Sequence, residues 1–590
     1  MAIKKKLLKP KKLPPEAIQA LKNVLGPEKI SEDRAIIEAY TIGCVDFSQA
    51  LRKIVKSSTG IPACIVLPES TKEVQAIVQI ANRYKISLLP FTNGQVISFP
   101  VVPATLVIHF SRMDKILEID EENMSVTIQP YLDYGTLQAE LMKKGLWNGG
   151  SGWHSVIAKP ASQFGIAGMW QTDLKYSGLS RNTLGMTIVL PTGEIMRVGS
   201  SAIAGTGKYS FTERFPGPNI LGLFKAAFGT RGIVTEITVK AHPWTGGSSL
   251  PEDVGRPSME NYFKEAEEKK FDIPPPPKKH KVFWFDYPDM ETLVEGVSKI
   301  ARSGIGIGLN VTSHYNAPMC SRTLDEAEKR VKEKFFPPYS GYLVIAGISS
   351  ERQMEYEEKV LQKIVKETGG KMWSEKHMSE QLEAVAPWNL EFIRNTETGM
   401  RTVRSWYIAN VLAPYAGYNE LPDTSEMWRE VIDKIGAATI FSTLGTECPY
   451  GYFFDRGHNM ETEVDQCPKR TDFNGLIQYL ESYAYSWWWF IKKGYPGNYF
   501  AVFGEPWLSS TPEIGPNLYL LMRKFAKIMD PNNIMASNPK MVYTDEDLKA
   551  RLKKEVGGLS TVLKWRREFG LPPLEDAMKK LYEEHESVKE

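Results

Sequence analysis

An α+β fold is predicted, and three patterns predict it. A strand–helix–strand unit occupies residues 61–89. Antiparallel hairpins fill 116–129 and 187–198. A second alternation of strands and helices runs from 282 to 368. A composition break at 244–258 and four consecutive prolines at 274–277, a stiff spacer, separate the two halves. With 590 residues the chain has room for two or three domains and ample core.

The first half reads in order. A helix is expected over Glu16–Leu25. Ile61–Pro68 is a short apolar strand between prolines. Ser70 and Glu73 form a capping box for the helix that follows, and Val74, Ile77, Val78 and Ala81 define its buried face. Ile86–Leu89 is the next strand. It leads into Pro90-Phe91-Thr92-Asn93-Gly94-Gln95-Val96. Pro90 has no N–H to donate, so pairing is expected to stop there. Thr92, Asn93 and Gly94 allow a sharp turn that presents a concave row of N–H donors, which suits a diphosphate. An ordinary strand–turn–strand corner is the competing explanation.

Ala104–His109 is a buried strand. Ile116–Ile119 and Ser125–Gln129 form a hairpin. Asp133 caps a helix that runs through Leu137 and Leu141 to Gly145. Lys159-Pro160-Ala161-Ser162-Gln163-Phe164-Gly165-Ile166-Ala167-Gly168 is poor in large side chains. It offers backbone either to a planar ligand or to tight helix–strand packing. Thr187–Leu190 and Glu194–Val198 pair across Pro191-Thr192-Gly193. Ile220–Phe228 reads as helix, and Gly229-Thr230-Arg231-Gly232 breaks into the strand Ile233–Lys240.

Beyond the prolines, strands are expected at Val282–Phe285, Gly306–Thr312 and Gly341–Ile348. Helices are expected at Glu291–Ala301, Asp325–Phe335 and Arg352–Thr368, the last with Val360, Leu361 and Ile364 on one face. Gly304-Ile305-Gly306-Ile307-Gly308 lacks both the spacing and the following helix of a dinucleotide-binding Rossmann turn.

Composition excludes several classes. Apolar residues make up 42% and charged residues 24%, and the net charge is +2, so no bulk attraction to nucleic acid is expected. Met1–Pro15 is basic and lacks an apolar stretch, so it reads as a disordered tail rather than a signal or membrane tether. No segment approaches a membrane span. Cys44, Cys64, Cys320, Cys448 and Cys467 form no CxxC, and the eight histidines show no metal-ligand spacing. No metal is therefore expected, and a reducing, cytoplasmic location fits the sparse cysteines. Redox chemistry would have to come from an organic cofactor or a partner.

Several of these pieces, in this order, resemble the FAD-binding domain of the vanillyl-alcohol oxidase / p-cresol methylhydroxylase (PCMH-type) superfamily. They include Pro68-Glu69-Ser70, Pro90…Gly94, Ser111–Asp120, Gln129-Pro130…Gly135, Gly165–Gly168, Gly185…Glu194 and Phe228–Glu236. Met529-Asp530-Pro531-Asn532-Asn533-Ile534 is similar to the family's C-terminal return. The resemblance implies four regions: an N-terminal arm to 59, a two-subdomain FAD-binding domain over 60–245, an α+β cap over 246–505 and a helical return and tail over 506–590. It implies FAD as cofactor, noncovalently held. Links through His458, Tyr452 or His377 have no motif behind them.

By the same resemblance, Pro90 and Thr92, Asn93, Gly94, Gln95 and Val96 hold the pyrophosphate. Pro160, Ser162, Gly165, Ile166 and Gly168 line the flavin, and Ile233 and Thr235 meet adenine or ribose. Lys540 lies either near flavin N1 or simply in solvent. Tyr499 and Tyr176 match two of the alkylphenol branch's active-site tyrosines, whereas Phe99 and Phe500 stand where a third tyrosine and an arginine are expected. His154 and Asp173 are candidate bases, and a structural polar role is the alternative for each.

The aromatic run Tyr479–Trp507 reads as a buried interface at Trp487–Trp489 and as a substrate wall at Tyr499. The implied activity is hydride transfer from an aromatic or alicyclic alcohol or alkyl carbon to flavin N5. A 2-hydroxy acid is the alternative, held by Arg231, Arg394, Arg401 or Arg404. A flavin electron-transfer subunit serving an acceptor protein and a non-catalytic scaffold are further alternatives. A homo-oligomer is expected.

Overall fold

The computed structural model describes residues 12–40, 61–92, 104–149, 159–160, 172–203, 212–213, 218–246 (without 226 and 228), 279–374 (without 322), 380–382, 385, 410–412, 415–495 (without 419, 470 and 471), 516–535 and 559–584. In chain order the strands of the first half are β1 (Ile30–Ser31), β2 (Cys64–Val66), β3 (Leu88–Phe91), β4 (Leu106–His109), β5 (Ile116–Asp120), β6 (Ser125–Ile128), β7 (Leu146–Trp147), β8 (Thr183–Val189), β9 (Ile195–Gly199), β10 (Ile233–Lys240) and β11 (His242–Pro243). They form a four-stranded sheet in the order β1-β2-β4-β3, an antiparallel five-stranded sheet in the order β5-β6-β10-β8-β9, and the small pair β7 and β11.

The expected strand–helix–strand unit is present, with one difference of topology. β2 and β3 both run parallel to β4, which lies between them. The connecting helix, Thr71–Tyr84, buries Val74, Ile77, Val78 and Ala81 completely. Its cap also departs from the expected box. Ser70 Oγ accepts from the Glu73 N–H, but the Glu73 carboxylate turns back to the Glu69 N–H and to Lys29. Lys29 recruits that carboxylate, so it bonds one residue upstream of the cap.

Pro90 does not end β3. It sits within the strand opposite Ile108, and pairing continues to Phe91 opposite His109. β3 is the edge of its sheet, where a missing N–H leaves no ladder bond unmade. The helix expected over Ile220–Phe228 is a single 3-10 turn, Ile220–Leu223, capped by Asn219. Gly222, inside the segment, weakens helix propagation there.

The C-terminal return closes on the first sheet. Asp530 accepts from the backbone N–H groups of Ile534 and Met535, and the Ile534 carbonyl accepts from Leu88 N–H at 2.7 Å. Ile534 and Met535 are buried beside Val74, Leu88 and Leu106.

The second half is one eight-stranded antiparallel sheet. Its strands are β12 (His280–Asp286), β13 (Gly308–Thr312), β14 (Ser340–Ala346), β15 (Lys371–Met372), β16 (Asn410–Leu412), β17 (Tyr415–Ala416), β18 (Tyr450–Phe454) and β19 (Asn459–Gln466). They run in the order β15-β12-β14-β13-β18-β19-β16, with β17 also on β19. Helices Met290–Arg302, Glu351–Glu367 and Glu420–Ile435 bring residues such as Leu293, Leu361 and Leu421 against one face, where Leu309, Leu343 and Phe453 lie. The buried stripe of the middle helix is Met354, Glu357, Leu361 and Val365, with Val360 and Ile364 flanking it. The opposite face carries Trp284, Tyr342, Val344, Tyr450 and Tyr452, and it shares a core with Met142, Trp147 and Trp244 of the first half.

Candidate functional site

The carboxyl ends of β3 and β4 gather several of the sequence motifs. The Gly229 turn rests on Pro90: its φ is +77°, and a Cβ there would stand 3.0 Å from the proline ring. Only glycine suits that backbone at that separation. Thr235 on β10 is buried, and its hydroxyl links Thr71 to the Thr187 carbonyl, while Ile233 packs in the core. Their side chains are thus engaged in structure, which leaves the backbone edge as the part able to meet a ligand.

A cluster of rings surrounds Phe91. Tyr40 Oη and His109 Nδ1 are 2.7 Å apart, and the Thr92 backbone is hydrogen-bonded to the same imidazole. Tyr131 stands edge-on to His109 at 5.2 Å, and the Lys159 ammonium lies 4.3 Å from the Tyr131 ring centre. Burial holds His109 neutral, with its pKa lowered to about 4. Pro160, next to Lys159, is buried.

Tyr176 marks a second locus. It ends the short helix Asp173–Tyr176, which packs against β13 and β18, and Lys175 N–H donates to the Ile307 carbonyl. Its ring stacks on His242 at 4.0 Å and 17°, and meets Trp147 edge-on at 6.1 Å. Asn182 fixes the turn. Its amide donates to the carbonyls of Tyr176, Ser177 and Gly178, so its Oδ1 faces His242 Nε2 at 3.0 Å as an acceptor. The Ser177 hydroxyl donates to Asp455, tying the turn to the large sheet. Burial pushes the Tyr176 phenol up to about 12 and lowers His242 to about 4, so both are neutral at pH 7. Asp173 is buried, with 1% of its surface exposed.

Next to Tyr176, the large sheet presents a wall of phenols. Tyr342 and Tyr450 hydroxyls are 2.7 Å apart, Tyr452 lies edge-on to Tyr450, and Tyr315 Oη accepts from Asp465 N–H. Burial raises the pKa of each, so they act as neutral hydroxyls. Glu461 and Glu463 stand directly opposite Tyr452 and Tyr450 and are fully buried. The sequence named Lys159 and Tyr452 but not the contacts they make here, and it did not single out Tyr315, Tyr342, Tyr450 or the carboxylates opposite them. The signal available was the period-two spacing of Tyr450/Tyr452 and of Glu461/Glu463/Asp465.

The aromatic helix Phe473–Lys492 serves as packing. Trp487, Trp488 and Trp489 are buried, Tyr485 meets Trp565 edge-on at 4.9 Å, and Arg566 lies over Trp488. The helix Leu559–Glu568 of the C-terminal tail therefore covers it. Arg231, considered as a carboxylate ligand, is buried and donates to the Leu223 carbonyl. His458 is exposed and Tyr452 is on the phenolic wall. Tyr499, His154, Asn93, Gly94, Gln95, Val96, Ser162, Gly165, Ile166, Gly168 and Lys540 lie outside the described residues. So do Phe99, Phe500, His377, Arg394, Arg401 and Arg404.

Residues 62–199 match the family described as FAD binding domain. The fold is similar to that of 4-ethylphenol oxidase from Gulosibacter chungangensis, with a TM-score of 0.69 at 17% identity over 91% of this chain and all of that one. p-Cresol methylhydroxylase with substrate bound gives 0.66 at 16%, over 89% and 96%. The match shows an FAD-binding domain in residues 62–199, and the fold is the one shared with those two enzymes.

Among curated relatives, alkyldihydroxyacetonephosphate synthase of Dictyostelium discoideum is 28% identical over 40% of this chain and 37% of its own. The glycolate oxidase subunit GlcD of Bacillus subtilis is 26% identical over 38% and 44%. The mitochondrial D-lactate dehydrogenase [cytochrome] 1 of Saccharomyces cerevisiae is 27% identical over 38% and 37%. The chain thus spans less than half the length of these curated relatives.

FAD is the cofactor of the matched domain, and the site fits it. The glycine at 229 lets its backbone turn approach Pro90 closely beside the strand ends, and the buried Lys159 ammonium stands over Tyr131 nearby.

Proposed function

We propose that this protein is an FAD-linked oxidoreductase that takes a hydride from an aromatic or alicyclic alcohol or alkyl carbon, acting as a dehydrogenase. The observation that carries this reading is the Tyr176 locus, where a phenol, two tryptophans and a sheet face of buried tyrosines adjoin. A planar apolar substrate gains dispersion and hydrophobic energy against such a wall, and neutral hydroxyls can orient one polar group on it. Bound FAD supplies the hydride-accepting centre. Tyr176 holds the substrate's polar group by hydrogen bonding, together with Tyr499. Asp173 or His154 takes a proton from it. Residues 60–245 and the return after 506 bind the cofactor, and 246–505 form the cap.

A 2-hydroxy acid is the second reading, favoured by the glycolate- and lactate-named relatives. Neutral phenols provide no counter-charge for a carboxylate, so the described wall argues against it. We further place the protein in the cytoplasm as a homo-oligomer that passes electrons to an acceptor protein. The four described cysteines are free, and no described helix is long and apolar enough to cross a membrane. Anaerobic addition of substrates to the flavoprotein tests the proposal. Bleaching by aromatic alcohols or alkylphenols supports it. Bleaching by D-lactate or glycolate alone would replace it with the second reading. Reduction by a protein partner and by no small molecule would make the chain an electron-transfer subunit.

A further inference from the structure

We propose that Asp455 is a positioning residue: from the turn between β18 and β19 it holds Tyr176 in place against the phenolic face of the large sheet. The inference deepens the proposed function, because it rests on Tyr176 being a substrate-holding phenol. The helix Asp173–Tyr176 is a single turn, too short to be stable by itself. Hydrogen bonds on either side of Tyr176 tie it to the large-sheet half. Lys175 N–H donates to the Ile307 carbonyl at 3.1 Å, and the Ser177 hydroxyl donates to Asp455. Tyr342 and Tyr450 stand on that sheet, and Tyr176 packs against the same core. These bonds thus fix the phenol relative to the wall. The first is main chain to main chain, so Asp455 supplies the side-chain part of the link.

The backbone is strained on both sides of this contact. Among the described residues eight non-glycine residues take a positive φ, and three of them meet here: Ser177 at +63°, Asp455 at +49° and Arg456 at +61°. Ser177, with ψ at 163°, occupies a region that is almost the preserve of glycine. Such conformations persist only where neighbouring contacts over-determine them, and they gather where a side chain must be aimed. Those contacts are present. Asn182 donates to the Ser177 carbonyl, the Arg456 guanidinium donates to the Gly304 carbonyl at 2.6 Å, and the Gly457 carbonyl accepts from the Tyr418 hydroxyl at 2.6 Å. The Asp455 side chain, 17% exposed, is thereby aimed at Ser177. It also accepts from Arg181 at 3.0 Å, but that arginine is 70% exposed, so solvent screens the pair and it adds little. The positioning lies in the Ser177 bond, which an amide oxygen can accept as well as a carboxylate. Asn also tolerates the left-handed backbone at 455.

The test places 3-fluorotyrosine at position 176 of the full-length flavoprotein and follows its 19F resonance without ligand. Asp455→Gly relieves the backbone strain but removes the acceptor, so the resonance should shift and broaden. Asp455→Asn should leave it in place. Ser177→Ala removes the same bond from the other side and should move the resonance as Asp455→Gly does, which keeps the test open if the glycine variant does not fold. An unmoved resonance in Asp455→Gly or Ser177→Ala would overturn the proposal. The second readout is titration of the oxidised protein with 4-ethylphenol, followed by the flavin spectrum. Asp455→Gly should bind it at least about fivefold more weakly, Asp455→Asn within about twofold of wild type, and Asp455→Gly should add no further loss in a Tyr176→Phe background. Equal losses in both backgrounds would show that Asp455 does not act through Tyr176, and would overturn the proposal. If Tyr176→Phe binds 4-ethylphenol as wild type does, the reading of Tyr176 as a substrate residue fails instead, while the 19F resonance still decides whether Asp455 positions it.

Discussion

Asn182 offers the sharpest single-residue perturbation. It is 1% exposed, and its side chain serves four groups: the carbonyls of Tyr176, Ser177 and Gly178 and the His242 imidazole. Two amide hydrogens shared among three carbonyls amount to two full donations, and the contact with His242 adds a third bond. At about 1 kcal/mol net for each bond, plus the cost of carbonyls left dry, Asn182→Leu should lose roughly 3–4 kcal/mol. Asn182→Asp keeps the shape but turns a carboxylate toward three carbonyls, so it should lose at least as much. Urea unfolding followed by tryptophan fluorescence measures both, and the m-value shows whether the transition is still the same one. The turn also carries Tyr176, so a folded Asn182→Ser variant should raise KM for an aromatic substrate more than it lowers kcat. A loss below about 1 kcal/mol for Asn182→Leu would refute the hydrogen-bond assignment, and with it the argument for how Tyr176 is held.

Other outcomes follow from the same structure. His242 and His280 are both buried with pKa values near 4, below the ordinary 6.5. Groups kept neutral by folding contribute stability that is complete above about pH 6.5 and is lost as pH falls toward 4. The acid limb of a melting-temperature profile should therefore steepen in that window, and should flatten in His280→Gln. Gly229→Ala should lower stability by about 1–2 kcal/mol, from positive φ and the approach to Pro90, and should weaken flavin retention. Asp530→Ala leaves the Ile534 and Met535 N–H groups without an acceptor. It should cost about 2–3 kcal/mol in thermal or urea unfolding and expose the return segment to proteolysis first.

Much of the fold was legible because local patterns dominate it. The Val74–Ala81 stripe and the Ser70 cap fix one helix, and β10 has the bounds its alternation gives. Misreadings arose where tertiary context overrides local chemistry. Pro90 stays in β3 because β3 is a sheet edge, and that position in the sheet is not written in the neighbouring residues. The Glu73 carboxylate moves upstream because Lys29, 44 residues away, attracts it. Tyr176 was named through the family resemblance alone. The contact of Lys159 with Tyr131 and the Tyr342–Tyr450 pair were not legible, because segments far apart in sequence meet there.

The most direct measurement is the visible absorption spectrum of the full-length protein purified with FAD available. The account predicts an oxidised flavin spectrum with its band in the blue, bleached on anaerobic addition of an aromatic alcohol or alkylphenol. Protein that is folded by circular dichroism yet carries no flavin band would contradict it.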